Sequence, residues 1–213
     1  MTTPDDLTDL AAVAALTDGV RRNAYRVVAA ARPGPIGRDE VAEALGIGRT
    51  LAAFHLDKLV DAGLLEISYA RRSGRTGPGA GRPAKLYRPA AAEHAVSVPP
   101  RAYRAAAELL AEALERVGAD EALAKVARAH GRSLRDGDVA ERLAGHGYEP
   151  DFSQDIVTFR NCPFHRLAEQ FPPLICGMNL ALIDGLVEDS GWTARMDAAP
   201  GRCCVTLSKK QSD

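Results

Sequence analysis

Four thiols and one imidazole are the groups best suited to do chemistry in this chain of 213 residues. Cys162, Cys176, Cys203 and Cys204 all fall in its last third, and His165 follows Cys162 by three positions. Cys162 leaves the apolar run Ile156-Val-Thr-Phe159 and precedes Pro163, which places it at a strand-to-helix corner. Cys176 lies one turn into a helix predicted over Pro172 to Glu188, where the N-terminal dipole favours a thiolate. Cys203 and Cys204 follow Pro200-Gly201 and open a predicted strand ending at Leu207. Strand neighbours face opposite sides, so only one of the two is expected to share a site with the others. Three thiolates meeting from a corner, a helix start and a strand start suit a metal ion or an iron–sulfur cluster, with His165 as a fourth candidate ligand. There is no CxxC pair and no zinc-ribbon spacing, and cysteines also serve as small buried hydrophobes. A nucleophilic pair of Cys162 and His165 lacks any accompanying oxyanion or nucleotide motif, so the expectation is not an enzyme.

A second set of residues suits nucleic acid. Between Ala70 and Pro89 stand Arg71, Arg72, Arg75, Arg82, Lys85 and Arg88, with no acidic residue among them. Gly74, Gly77, Gly79 and Gly81 predict a flexible loop, and no Gly-Lys-Ser/Thr ending makes it a phosphate cradle. A mobile arginine-rich hairpin fits phosphate contact and the minor groove. Just before it, the segment Arg49 to Ala62 reads as a helix with Ala52, Leu56, Leu59 and Val60 on one apolar face. Its opposite face carries Arg49, Thr50, Ala53, Phe54 and Asp57, small or methyl-bearing groups that let a helix enter a major groove. His55 and Lys58 join the candidate DNA contacts from the flanks. The remaining histidines, His94, His130 and His146, have no partner at ligand spacing and read as surface groups.

These side chains need elements to hold them. A short helix over Arg38–Leu45 ends at Gly46, and a three-residue turn leads into the helix from Arg49; strands at Leu64–Tyr69 and Ala84–Tyr87 then flank the basic loop. That order predicts a winged helix-turn-helix at residues 1–95, preceded by two short amphipathic helices. After Ser97-Val-Pro-Pro100, helices near Arg101–Val117 and Asp120–Leu134 predict a linker and dimerisation region at 96–137. Residues 138–213 predict a small α+β sensor domain holding the cysteines. The class is therefore α+β, with a reading head, central helices and a sensor. Two-fold homodimers are the usual way in which such heads read a two-part operator.

Charge follows this division. The chain is nearly neutral, with 27 basic and 28 acidic residues, yet residues 20–90 hold 13 basic against 6 acidic. A basic head on an acidic body fits a regulator binding double-stranded DNA. No stretch approaches twenty apolar residues, and the N-terminus is acidic (Asp5, Asp6, Asp9), so no membrane partner and a cytoplasmic location are expected. Structural disulfides do not persist there.

Three segments carry a resemblance. Glu40-Val-Ala-Glu-Ala-Leu-Gly-Ile47, His55-Leu-Asp-Lys-Leu-Val-Asp-Ala-Gly-Leu64 and Gly81-Arg-Pro-Ala-Lys-Leu-Tyr87 resemble the reading head of ArsR-type winged-helix regulators. The last of these, with Cys162, Cys176 and the pair Cys203-Cys204, resembles the SufR-like branch. The resemblance implies a homodimeric repressor that binds an iron–sulfur cluster (4Fe-4S or 2Fe-2S) through Cys162, Cys176 and one of Cys203 and Cys204. It also implies that the state of the cluster alters operator binding. The alternative reading is a winged-helix regulator responding to zinc or to a small organic effector held by Phe159, Phe164, Met178 and Trp192, with the cysteines structural.

Overall fold

The computed structural model describes residues 4–31, 34–70, 83–199 and 202–210, with side chains from Thr8 onward. Arg71, Arg72, Arg75 and Arg82, with the glycines between them, lie outside the described residues. The chain mixes helix and sheet and divides into two compact units, Met1–Arg101 and Ala102–Asp213. Among the described residues no helix is long and apolar enough to cross a membrane.

In the first unit, α1 (Pro4–Ala15) and α2 (Gly19–Ala30) precede a two-residue strand β1 (Ile36–Gly37), α3 (Arg38–Leu45) and α4 (Arg49–Asp61). Strands β2 (Leu65–Ala70) and β3 (Ala84–Pro89) complete it, and the antiparallel sheet runs β1-β3-β2. Local chemistry sets the boundaries. Asp18 accepts the Arg21 N–H at 2.8 Å and starts α2; that hydrogen bond holds its carboxyl below the usual range. The Glu40 carboxylate accepts the Gly37 N–H at 2.9 Å at the head of α3. Gly46, at φ +64°, ends α3 in the left-handed region and turns the chain toward α4. Ala52, Leu56 and Leu59 of α4 are sunk in a core with Ala24, Val28, Val41 and Tyr87.

The second unit opens with α5 (Tyr103–Val117) and α6 (Asp120–Ser133), so both helices belong to the cysteine-bearing body. Then come α7 (Val139–Gly145), β4 (Pro150–Phe152), β5 (Ile156–Phe159), α8 (His165–Gln170), α9 (Pro172–Leu186), β6 (Trp192–Met196) and β7 (Val205–Lys209). The strands form one antiparallel sheet ordered β4-β5-β7-β6. Helix α9 is apolar on most sides, as its central position demands, and buries Leu174, Ile175, Leu182, Ile183 and Leu186. Proline at its first positions fixes the start.

Against α9 lies α6, at a distance that only glycine permits. A Cβ on Gly131 would stand 2.2 Å from the Leu182 carbonyl oxygen, and one on Gly185 2.3 Å from that of Arg128. Ion pairs edge this contact: Arg128 with Asp184, Arg132 with Glu188 and Arg135 with Glu188. On α5 and α6, Tyr103, Leu109, Leu110, Val117 and Val126 remain exposed, Tyr103 and Val117 by 76%.

Candidate functional site

The four thiols come together in the second unit. β5 ends at Phe159, and its carbonyl accepts the Cys203 N–H at 3.0 Å, which draws the segment before β7 alongside the corner that carries Cys162. That corner is tied down by Asn161, whose side-chain amide donates to the Gly147 carbonyl at 2.7 Å. Cys162 lies beside Cys203, and Cys204 beside Cys176 on α9, close enough for each to perturb the other. All four are free thiols; Cys203 is buried and the others half-buried.

Both members of the Cys203-Cys204 pair have a cysteine neighbour, Cys203 beside Cys162 and Cys204 beside Cys176. The alternation rule does not reach them, because both precede Val205, where pairing with Met196 of β6 begins. His165 is not brought in. Its imidazole is exposed and lies 3.3 Å from Glu169, one helical turn away. The candidate fourth ligand faces a surface carboxylate instead.

Asn179 is the member that the sequence reading missed. It is 1% exposed on α9, one turn beyond Cys176, and donates from Nδ2 to Cys203 Sγ at 3.3 Å. Its Oδ1 accepts the Tyr148 hydroxyl at 2.5 Å. A lone amide in an apolar helix, three residues after a cysteine, was the available signal. The electrostatics follow from these contacts. Donation from Cys162, opposed by burial and aided by the Val205 N–H and Asn179, lowers the Cys203 pKa to about 6. Cys162, holding its proton toward Cys203 and partly buried, is pushed up. Burial and the bond to Cys176 push Cys204 up to about 12. Burial raises Tyr148, with the neighbouring Cys162 and Cys203 adding to the effect. The neighbouring donors thus favour ionisation at Cys203 over Cys162 and Cys204.

Four sulfurs with no carboxylate among them form a soft donor set, the kind that iron–sulfur centres and zinc select. Among the described residues no three ligating side chains already surround one point as a metal cage. The thiols meet instead as two pairs joined through Cys203 and Cys204. Cysteine thiolates of this kind can ligate zinc or an iron–sulfur cluster.

The first unit holds the other candidate residues. Arg49, Thr50 and Phe54 of α4 are exposed, Phe54 by 52%, and Ala53 is half-buried beside them. Arg49 Nε stands 3.3 Å from Asp39. Lys58 is exposed and pairs with Asp61 at 3.3 Å. His55 is corrected from DNA contact to packing: it is 5% exposed, with Nδ1 3.9 Å from Asp18 and the Phe54 ring edge-on at 5.4 Å. Lys85 is half-buried and engaged within the fold. Its Nζ lies 2.6 Å from Asp57 Oδ1, which also accepts the Tyr87 hydroxyl at 3.0 Å. This fastens β3 to α4, and Asp57 raises the pKa of Lys85.

The effector pocket anticipated from sequence does not assemble as foreseen. Phe159 is wholly buried in the core, and Trp192 packs edge-on against Phe152 at 6.2 Å. Phe164 and Met178 line a cavity in this unit. No protein-family model matches this chain, and comparison with curated proteins gives no match.

Proposed function

We propose that the protein is a DNA-binding transcription regulator whose first unit is a winged helix-turn-helix. Supporting this is α4, which sinks Ala52, Leu56 and Leu59 into the core and leaves Arg49, Thr50 and Phe54 uncovered at its N-terminal half. The three-residue turn before it and the β2–β3 hairpin after it follow the order of a groove-reading helix and its wing. The arginines between those strands add phosphate contacts from the sequence alone.

Within that class, the particular protein is a repressor of the cluster-sensing kind. The convergence of Cys162, Cys176, Cys203 and Cys204 from three distant places in the chain is the observation that carries this. Cys162 and Cys176, with Cys203 or Cys204, would hold an iron–sulfur cluster. Such a group supplies a crosslink that oxidants or iron shortage can remove. Cys203 is prepared as a thiolate by Cys162 and Asn179. Cys176 ties the site to α9, and the glycine contact between α9 and α6 leaves no slack, so displacement of one helix displaces the other. The exposed apolar side chains of α5 and α6 suit a second copy, which makes the homodimer the reader of half-sites roughly 34 Å apart.

The test is anaerobic reconstitution with iron and sulfide, followed by retardation of DNA from the protein's own promoter. A visible chromophore lost in the double substitution C162S/C176S is expected, together with salt-sensitive retardation that differs between reconstituted and metal-free protein. A colourless protein would remove the cluster, and absence of retardation in every state would remove the regulator.

A further inference from the structure

A cavity of about 390 Å3 opens in the second unit beside Tyr148, whose hydroxyl is bonded to Asn179. Its walls are Leu123, Ala127 and Leu134 from α6 and its end, Phe164 from the corner after β5, and Met178 and Leu182 from α9. The volume falls within the range of pockets that enclose small organic molecules, about 300–1,000 Å3. The polar groups around it are few. The Tyr148 hydroxyl is already committed to Asn179, which leaves the imidazoles of His130 and His146, both on exposed residues. No acidic residue lines it.

We propose that this cavity is a binding site for a medium-chain carboxylic acid, its tail among the leucines, Phe164 and Met178 and its carboxylate at His130 and His146. The charge pattern selects that class. An apolar floor takes a hydrocarbon, imidazole N–H groups at the mouth donate to an anion, and the absence of acidic residues offers nothing to an amine. The walls also connect to the thiols. Pro163 and Phe164 directly follow Cys162, Met178 directly precedes Asn179, and the Tyr148 ring carries the hydroxyl that orients Asn179 toward Cys203. An occupant therefore presses on Tyr148 and on the chain neighbours of Cys162 and Asn179, and gives the body a second input beside redox state.

The test uses the full-length, thiol-reduced protein carrying 13C-methyl methionine, titrated with decanoate and separately with decanol. The methyl signal of Met178 is expected to shift saturably with decanoate, with affinity for decanol weaker by about tenfold or more. H130A/H146A is expected to bring decanoate down to the decanol level, and L123W, which fills the cavity at a half-buried position, to abolish both shifts. No saturable shift, or equal affinity for acid and alcohol in the unsubstituted protein, overturns the proposal. So does a Met178 signal that responds to protein concentration and ignores decanoate, which would mean that a second copy fills the cavity. Neither iron nor DNA enters the measurement, so its failure leaves the regulator reading intact, and failure of that reading leaves this one.

Discussion

Asn179 reaches 3.3 Å from α9 to Cys203 Sγ while its oxygen receives the Tyr148 hydroxyl at 2.5 Å. The amide thus links a buried phenol to the one thiol whose pKa is pulled down, to about 6. Replacement by leucine keeps the volume and removes both bonds. N179L is expected to raise the Cys203 pKa from about 6 toward the ordinary value near 8.5, and C162A, which removes the larger contribution, to raise it further. The pH midpoint of Cys203 alkylation, mapped by mass spectrometry in reduced, metal-free protein, measures this. An unmoved midpoint in N179L would mean that Cys162 and the backbone suffice. N179L also leaves the Tyr148 hydroxyl without an acceptor, at a cost of about 1–3 kcal/mol.

Gly131 and Gly185 test the α6–α9 contact. Their added Cβ atoms would meet backbone oxygens at 2.2 and 2.3 Å, and backbone in the middle of a helix cannot step aside alone. G131A and G185A are each expected to lower stability by about 1–3 kcal/mol through overpacking. Gly177, in the same helix as Gly185, has nothing within 4 Å of its Cβ position. G177A should therefore gain up to about 1 kcal/mol from helix propensity. Chemical denaturation of the three variants distinguishes a steric contact from incidental glycine; equal effects in all three would deny the close approach.

Periodic features were legible in the sequence. The apolar stripe of α4 and the apolar run at Ile156–Phe159 appear where the sequence placed them, because burial dictates where apolar residues gather. Short elements were not: α7 has two turns and β4 three residues, too few for a period, although Asp138 and Glu141 form a capping box that could have marked α7. Pairings across the chain were invisible as well. Lys85 meets Asp57 from 28 residues away, and basic charge alone suggests phosphate as readily as an internal carboxylate. His55 sits at the edge of the apolar stripe of α4, and its spacing alone did not show that it turns inward, with Nδ1 3.9 Å from Asp18. Gly131 and Gly185 reveal their purpose only once the two helices are side by side.

Lys85 and Arg49 should separate cleanly in DNA binding. Arg49 is largely exposed, whereas Lys85 is engaged by Asp57. R49A is expected to reduce the slope of log affinity against log salt by about 0.9, the loss of one phosphate neutralised. K85M should leave that slope unchanged and instead destabilise the first unit, by about 1 kcal/mol because the pair is partly solvated. The lysine pKa is raised in the folded protein, so the clamp contributes fully below the ordinary lysine value and is lost as pH rises through the higher folded one. Retardation at several salt concentrations, with denaturation of the free protein, reads both effects. A reduced salt slope in K85M would return Lys85 to the DNA.

The acid limb of stability should depend on the carboxylates at the end of α9. Glu188 receives Arg132 at 2.7 and 2.6 Å, and Asp189 receives Arg142 at 2.8 Å. Those hydrogen bonds hold both carboxyls below their usual values. Depressed carboxylate pKa values add stability that is complete above the unfolded values, near 4.3 and 3.9, and that disappears as pH falls through the lower folded ones. Arg142 also donates to the Leu186 carbonyl at 3.0 Å, where a cation meets the negative end of the helix. E188Q and D189N should therefore be less stable than the unsubstituted protein at neutral pH and indistinguishable from it at the acid end. Denaturation midpoints followed from pH 7 downward check this. Curves that stay parallel over the whole range would show that the arginines are held by packing, and that the carboxylates contribute no charge-dependent stability.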